Sequence, residues 1–269
     1  MKFSVSIEHI PTAGFKFMFH ELPLLQRPAA AARHGFDAID IWDWLDKDMD
    51  ALGNAACQAG VVINSTFGNR FGSLVDERDH QRVLEEVEES LEMAKRCGVQ
   101  YLLLFTDAIG PEGLRKQTPL PDEEKYANLI AGLEQVVKLA EQKADGVMLA
   151  MEPVNNIFVP GYFLHTSRRV ADVIRRIHHP KLRMAFDIFH LQLVEGNIMT
   201  NLQKYLPLCD AVHMADVPSR GEPGTGELNL KNIMQLLVEE HFTGLVEFEM
   251  MPTSSSEEAV RAIKGILPR

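Results

Sequence analysis

Cysteine is scarce in this chain. Cys57, Cys97 and Cys209 are the three cysteines among 269 residues, and they are widely spaced in apolar surroundings. An odd, scattered set of this kind has neither the pairing of a disulfide framework nor the spacing of a metal site. We therefore expect free thiols and a reducing, cytoplasmic location.

Basic clusters and long apolar runs are missing as well. The formal net charge is −11 and no stretch concentrates Lys or Arg, which argues against a nucleic-acid partner because phosphate contacts need a basic surface. Glu8 and Pro11 interrupt the first apolar run, so we expect neither a signal peptide nor a membrane span there. A small anionic substrate needs only one or two local cations and stays compatible with this charge, and the composition leaves a homo-oligomer open.

What the chain does have is a regular alternation of short apolar runs and longer helical patterns. Apolar runs without polar alternation are typical of buried parallel strands. The predicted strands are Phe3–Ile7, Ala38–Trp42, Val61–Thr66, Tyr101–Thr106, Val147–Met151, Arg183–Phe186, Ala211–Ala215 and Gly244–Phe248. The predicted helices are Glu21–His34, Lys47–Gly60, His80–Cys97, Asp122–Asp145, Ser167–Ile177, Asn201–Leu206, Leu230–Glu240 and Ser256–Ile266. Eight such units predict an α/β protein with one (β/α)8 TIM barrel domain over residues 1–269.

Polar residues follow the last four predicted strands. In a (β/α)8 barrel the chemistry lies at the carboxyl ends of the strands, so these residues are the candidates for a site. They are Glu152 and Asn155, then Asp187 and His190, then His213 and Asp216, and finally Glu249. Taken singly, each has a plainer explanation: an acid here can cap a helix or face solvent, and a His in an apolar strand can be a satisfied core residue.

Four of these residues together predict a metal site. Glu152, Asp187, His213 and Glu249 would bring three carboxylates and an imidazole to one end of the barrel, where they would repel each other without a cation. Oxygen ligands with one imidazole suit Mg²⁺ or Mn²⁺, and less exclusively Co²⁺ or Zn²⁺. The hypothesis is one divalent ion that holds a small hydroxy-carbonyl substrate.

The seventh loop, Pro218–Glu227, carries a cation beside this predicted site. Its three Gly and two Pro predict a shaped turn rather than a helix. Arg220 could hold a substrate carboxylate or hydroxyl, or it could instead pair with Glu222 or Glu227.

Weaker candidates follow the first three strands. Glu8 and His9 could line the mouth of the barrel, and Asn69 and Arg70 could reach a substrate. Three aromatic residues could form an apolar wall or simply pack in the core, namely Trp42, Trp44 and Phe67.

The motifs of the second half resemble those of a known family. Met151-Glu152-Pro153-Val154-Asn155, Phe186-Asp187-Ile188-Phe189-His190 and the run from Arg220 to Glu227 resemble the hydroxypyruvate isomerase family of the xylose-isomerase-like TIM barrels, to which the tagatose 3-epimerase type is related. The resemblance is tightest from about residue 147 to 252. Those isomerases carry Gln where this chain has His213, whereas the epimerases carry His, and the loops after strands three and four differ from the isomerase pattern.

The resemblance implies a role for each site residue. Its metal ligands are Glu152, Asp187, His213 and Glu249; Glu152 and Glu249 are its proton-transfer pair, and His190, Arg220 and Asn155 contact the substrate. It implies an isomerase that moves a proton in a small hydroxy-oxo acid or sugar through a metal-stabilised enediolate. The alternatives are a ketose 3-epimerase, an endonuclease-type metal-dependent hydrolase, and a metal-free binding module on the same barrel.

Overall fold

A computed structural model describes residues 1–268 and confirms the predicted (β/α)8 barrel. The barrel strands are β1 (Lys2–Ser6), β2 (Ala38–Asp40), β3 (Val62–Ile63 and Ser65–Phe67), β4 (Tyr101–Leu104), β5 (Met148–Met151), β6 (Leu182–Asp187), β7 (Cys209–Met214) and β8 (Leu245–Phe248). Each strand pairs in parallel with its neighbours, and β1 pairs with β8. The carboxyl ends of all strands therefore face the same side.

Strand β3 is interrupted, and its two halves pair with different neighbours. Val62–Ile63 pairs with β2, and Ser65–Phe67 pairs with β4. Asn64 separates the halves: its Nδ2 donates to Asp40 Oδ1 at 3.0 Å, and its carbonyl oxygen accepts from Tyr101 N at 2.7 Å. The prediction of one continuous strand over Val61–Thr66 was wrong in that the strand divides at Asn64, whose N–H donates to the Ile39 carbonyl of β2 at 2.8 Å while its carbonyl faces β4.

Nine α-helices within residues 1–268 connect the strands. They are α1 (Arg27–His34), α2 (Met49–Ala59), α3 (His80–Cys97), α4 (Asp122–Lys143), α5 (Ser167–Ile177), α6 (Ile188–Val194), α7 (Ile198–Tyr205), α8 (Leu230–Glu239) and α9 (Ser256–Lys264). Asp48, Thr166 and Ser255 cap α2, α5 and α9 with side-chain oxygens that accept backbone N–H bonds. Helix α3 buries Val83, Val87, Leu91 and Ala94, the spacing of one helical face.

Two helix predictions were wrong in detail. The helix predicted from Glu21 begins at Arg27, since Leu24–Gln26 forms a 3₁₀ turn and the Glu21 carboxylate accepts bonds from Ser256 instead. The helix predicted at Asn201–Leu206 corresponds to α7 but begins earlier, at Ile198, and the preceding helix α6 was not predicted. Helix α6 starts directly at the end of β6, where Asp187 Oδ1 accepts from His190 N at 2.8 Å.

Two short antiparallel pairs stand beside the carboxyl end of the barrel and were not predicted. His9–Ile10 pairs with Phe15–Lys16, and Ile109–Gly110 pairs with Gly113–Leu114. Both contribute residues to the cavity described below. Across the described part of the chain, the helices are all too short or too polar to cross a bilayer.

Candidate active site

Four buried side chains meet at the carboxyl ends of the last four strands. Glu152 follows β5, Asp187 ends β6, His213 lies near the end of β7, and Glu249 follows β8. Each offers one ligand atom, and these atoms all lie within 4.8 Å of one another. The structure thus brings together the four residues predicted as metal ligands.

His213 Nδ1 lies at the centre of this group. It is 3.0 Å from Glu249 Oε2, 3.4 Å from Glu152 Oε1 and 3.9 Å from Asp187 Oδ2. Within residues 1–268, neither His213 Nδ1 nor Glu152 Oε1 has a hydrogen-bond partner, although both atoms are buried. Leaving buried polar atoms unpaired costs free energy. A cation between His213 Nδ1 and Glu152 Oε1 would accept a lone pair from each atom, so the four side chains fit a bound cation. This cluster could hold a metal ion.

Glu247 lies on the other side of the His213 ring. Its Oε2 is 3.3 Å from His213 Nε2, and both side chains are buried. Burial and the charges of Asp40 and Glu249 raise the pKa of Glu247 well above its ordinary value, although His213 acts in the opposite direction. Burial lowers the pKa of His213, but Glu247 and the carboxylates of the cluster outweigh it, so the net shift is upward. A carboxylate in this position fixes which ring nitrogen faces the cluster.

Arg220 closes the group from the seventh loop. Its Nη2 is 2.6 Å from Glu249 Oε1 and 3.0 Å from Asp187 Oδ2, and its Nε donates to the Glu249 carbonyl at 3.1 Å. The alternative pairing with Glu222 or Glu227 was wrong, because Glu222 accepts from Thr253 and Glu227 accepts from Gln192 instead. Arg220 thus supplies positive charge to two carboxylates of the cluster.

Asp216 organises the loop that carries Arg220. Its carboxylate accepts from the backbone N–H groups of Val217, Gly224, Gly226 and Leu228. At Gly226 a Cβ would lie 1.9 Å from the Val217 carbonyl oxygen, so the turn requires glycine. Asp216 was predicted only as a strand-end residue, and its observed contacts shape the loop.

His190 and Asn155 lie next to the cluster. His190 Nε2 is 3.1 Å from Arg220 Nη1, and its Nδ1 accepts from Asn155 Nδ2 at 2.6 Å. Burial lowers the pKa of His190 to about 4, which favours the neutral ring. Asn155 is fully buried and lies behind His190, whereas His190 and Arg220 line the cavity.

A cavity of about 400 Å³ opens above the cluster, with Glu152 and Glu249 in its wall. Its lining is largely apolar and includes six aromatic side chains, Phe15, Trp42, Phe67, Phe105, Phe158 and Phe189. Trp42 Nε1 also donates to Glu249 Oε1 at 2.9 Å. A small molecule in this cavity would contact both glutamates with much of its surface shielded from water.

Residues 28–266 match the family described as xylose isomerase-like TIM barrel. The chain belongs to this family. Hydroxypyruvate isomerase of Escherichia coli (strain K12) is 25% identical over 93% of this chain and 96% of its own.

Solved structures share the fold at lower identity. The AP endonuclease, family 2, of Brucella melitensis superposes with a TM-score of 0.82 at 21% identity, covering 99% of both chains. D-psicose 3-epimerase of Clostridium cellulolyticum H10 gives 0.79 at 17% identity over 100% of both chains. Proteins with this fold therefore carry names of more than one reaction class, and the fold alone does not choose between them.

The weaker candidates from the sequence divide into two groups. Glu8 is fully buried and accepts from the backbone N–H of Trp42 at 3.0 Å, so its contacts are structural. Trp44 is not part of the cavity wall, because its Nε1 donates to Ser90 Oγ at 3.1 Å beside α3. Trp42, Phe67 and Arg70 do line the cavity.

The two glutamates of the cluster differ in acidity. Burial raises the pKa of Glu152 to about 7. Burial acts on Glu249 in the same direction, but Arg220 and His213 outweigh it, and the pKa of Glu249 lies below its ordinary value. The protein by itself therefore favours an ionised Glu249 and a readily protonated Glu152.

Proposed function

We propose that the protein is a metal-dependent isomerase that moves a proton between neighbouring carbons of a small hydroxy-oxo acid, such as hydroxypyruvate or a 2-oxo-tetronate. The observation that carries the proposal is the cluster of Glu152, Asp187, His213 and Glu249, whose two glutamates line a cavity sized for a small molecule. The similarity to an E. coli hydroxypyruvate isomerase supports the same class of reaction. We further expect the enzyme to act in the cytoplasm.

The four residues of the cluster would hold the divalent ion. Three carboxylates and one imidazole suit Mg²⁺ or Mn²⁺, and Co²⁺ or Zn²⁺ less selectively. When bound, such an ion supplies a Lewis acid that polarises a substrate carbonyl and stabilises negative charge on its oxygen atoms. Arg220 keeps Asp187 and Glu249 ionised and oriented for that role.

Glu152 and Glu249 would carry the proton. Both carboxylates reach the cavity and come from strands on either side of β6 and β7, so each meets a bound substrate from a different direction. One glutamate removes the proton next to the carbonyl, and the same or the opposite glutamate returns it. His190 and Arg220 would contact substrate oxygen atoms, while Asn155 holds the His190 ring.

A ketose 3-epimerase is the second candidate, and two facing glutamates are the feature that favours it. Proton removal and return at one carbon from opposite faces gives epimerisation, whereas return to the neighbouring carbon gives isomerisation. A DNA hydrolase fits less well, because the net charge is −11 and no stretch of the sequence concentrates the Lys and Arg that a phosphate backbone needs.

A substrate panel in D₂O tests the proposal directly. Hydroxypyruvate, 2-oxo-tetronates and free ketoses are incubated with protein and Mg²⁺ or Mn²⁺, and products and deuterium incorporation are followed by NMR. We expect aldehyde–ketone interconversion of an acid with deuterium at the carbon next to the carbonyl. Inverted configuration at C3 of a ketose would identify the epimerase, and a protein that neither binds divalent metal nor turns over any of these compounds would contradict the proposal.

The contact between Glu247 and His213 gives a separate prediction about metal affinity. The Glu247→Gln variant should bind the ion about 10- to 100-fold more weakly, because the carboxylate that orients and polarises the ring is lost. Competition against a chromophoric chelator measures this affinity. Glu257, whose side chain is 73% exposed, provides the control variant Glu257→Gln.

The same variant separates positioning from general damage. Glu247 and Asp40 are neighbouring buried carboxyl groups, and burial and the Asp40 charge make an ionised Glu247 unfavourable. The neutral amide of Glu247→Gln avoids this cost, so the metal-free variant should unfold at the same or a higher temperature than the metal-free wild type. Unchanged metal affinity, or weaker affinity together with a lower unfolding temperature of the metal-free protein, would count against a positioning role.

A further inference from the structure

Arg70 lies in the cavity wall on the side away from the cluster. It belongs to the loop after β3, whereas the four cluster residues come from the ends of β5 to β8. Its side chain is only 2% exposed. A buried guanidinium normally has a full set of partners, because removing its charge from water is expensive.

The protein satisfies this guanidinium only in part. Nε donates to Asp43 Oδ1 at 2.7 Å, and the ring of Trp44 lies 4.9 Å from Cζ, covering one face. Nη2 is buried and has no hydrogen-bond partner within residues 1–268. These contacts hold the side chain in one orientation and leave donor capacity at its far end.

The other two arginines of the cavity are engaged differently. Arg220 already bonds Asp187 and Glu249. Arg115 donates to the Ile109 carbonyl at 3.0 Å, and its guanidinium lies over Phe71. Arg70 therefore differs from both. It is a buried arginine of the lining, it lies opposite the cluster, and its Nη2 has no hydrogen-bond partner within residues 1–268.

We propose that Arg70 binds the carboxylate of the substrate, with the carbonyl and hydroxyl end of the same molecule directed to the cluster. The planar fork of Arg matches the two oxygens of a carboxylate, and a held, partly desolvated guanidinium binds it more strongly than an exposed one. This inference rests on the proposed function and adds to it a reason for choosing an acid over a neutral ketose.

Two compounds that differ only at the proposed contact test the inference. Hydroxypyruvate and dihydroxyacetone share the hydroxy-carbonyl end, but the second has a hydroxymethyl group in place of the carboxylate. Their binding to metal-loaded wild type and Arg70→Met is compared by calorimetry. Loss of charged hydrogen bonds predicts about 10- to 100-fold weaker binding of hydroxypyruvate, with dihydroxyacetone changed less than about twofold.

Arg96 supplies the matched control. It pairs with Asp50 through Nε at 2.7 Å, as Arg70 does with Asp43, but it is 57% exposed on α3. Arg96→Met should leave the binding of both compounds unchanged. Arg70→Lys retains the charge and should weaken only the acid, by less than Arg70→Met does, which keeps the test valid if the Met variant folds poorly.

The outcomes separate this inference from the proposed function. Equal weakening of both compounds, or no change in either, would overturn the role of Arg70 even if the wild type is an isomerase. Selective loss of acid binding would support it even if the wild type fails to turn the acid over, in which case only the proposed reaction is contradicted.

Discussion

Replacing Glu249 or Glu152 by Gln should reduce kcat about 10²- to 10⁴-fold, the range that a general acid or base contributes. Both carboxylates line the cavity, whereas Glu247, the neighbouring carboxyl group in β8, does not. The amide keeps the size of the side chain. In Glu249→Gln the amide oxygen can still accept from Trp42 and Arg220, which both contact Oε1 in the native protein.

Steady-state kinetics at saturating metal measure the effect, with KM expected to change far less than kcat. Each variant is also tested for deuterium incorporation into recovered substrate in D₂O. A variant that still exchanges the proton next to the carbonyl retains the glutamate that removes this proton. Glu227 is exposed in the loop of Arg220 and gives the control Glu227→Gln, which should keep full activity. Native turnover in either cluster variant would refute the assignment of the proton carriers.

The sequence was most informative where a single polar residue ends an apolar strand and also begins the next helix or loop. Asp187 is such a residue, since it completes β6 and caps α6. The parallel strands of a barrel end on one side, so locating the ends of β5 to β8 was enough to predict that their acids and His213 converge. That convergence follows from topology and needs no knowledge of individual contacts.

Contacts between distant parts of the chain were not predictable in the same way. Arg220 was weighed against nearby Glu222 and Glu227, but the loop instead folds back over β8, where the Arg220 carbonyl accepts from Met251 N at 2.7 Å. Its positive φ of 56° is set by this loop and has no local sequence signal, because Arg rarely adopts it. The two short antiparallel pairs have two residues per strand, too few for any periodicity to be visible.

Glu247 could have been found and was missed. It lies in β8, two residues before Glu249, which directly follows the strand, and alternate residues of an extended chain point to the same side. If Glu249 faces the barrel interior, Glu247 must do so too, one layer deeper. The neighbouring strand β7 then places His213 beside it, through the pairing of His213 with Glu247.

Removing the divalent ion should abolish turnover and lower the unfolding temperature, and restoring it should reverse both effects. An ion at 100 times its dissociation constant stabilises the folded state by about 2.7 kcal/mol. For a chain of this length such a gain raises the unfolding temperature by about 5–11 °C. The physical reason is the mutual repulsion of Glu152, Asp187 and Glu249, which the ion relieves and Arg220 alone offsets only in part.

Dialysis against a chelator, followed by differential scanning fluorimetry with and without Mg²⁺ or Mn²⁺, measures the shift. Asp187→Asn should lose most of the response, because one charged ligand becomes a neutral amide of the same size. Asp145 is 99% exposed and gives the matched control, so Asp145→Asn should respond as the wild type does. An equal response in both variants would mean that the ion stabilises the protein somewhere other than at the ends of β5 to β8.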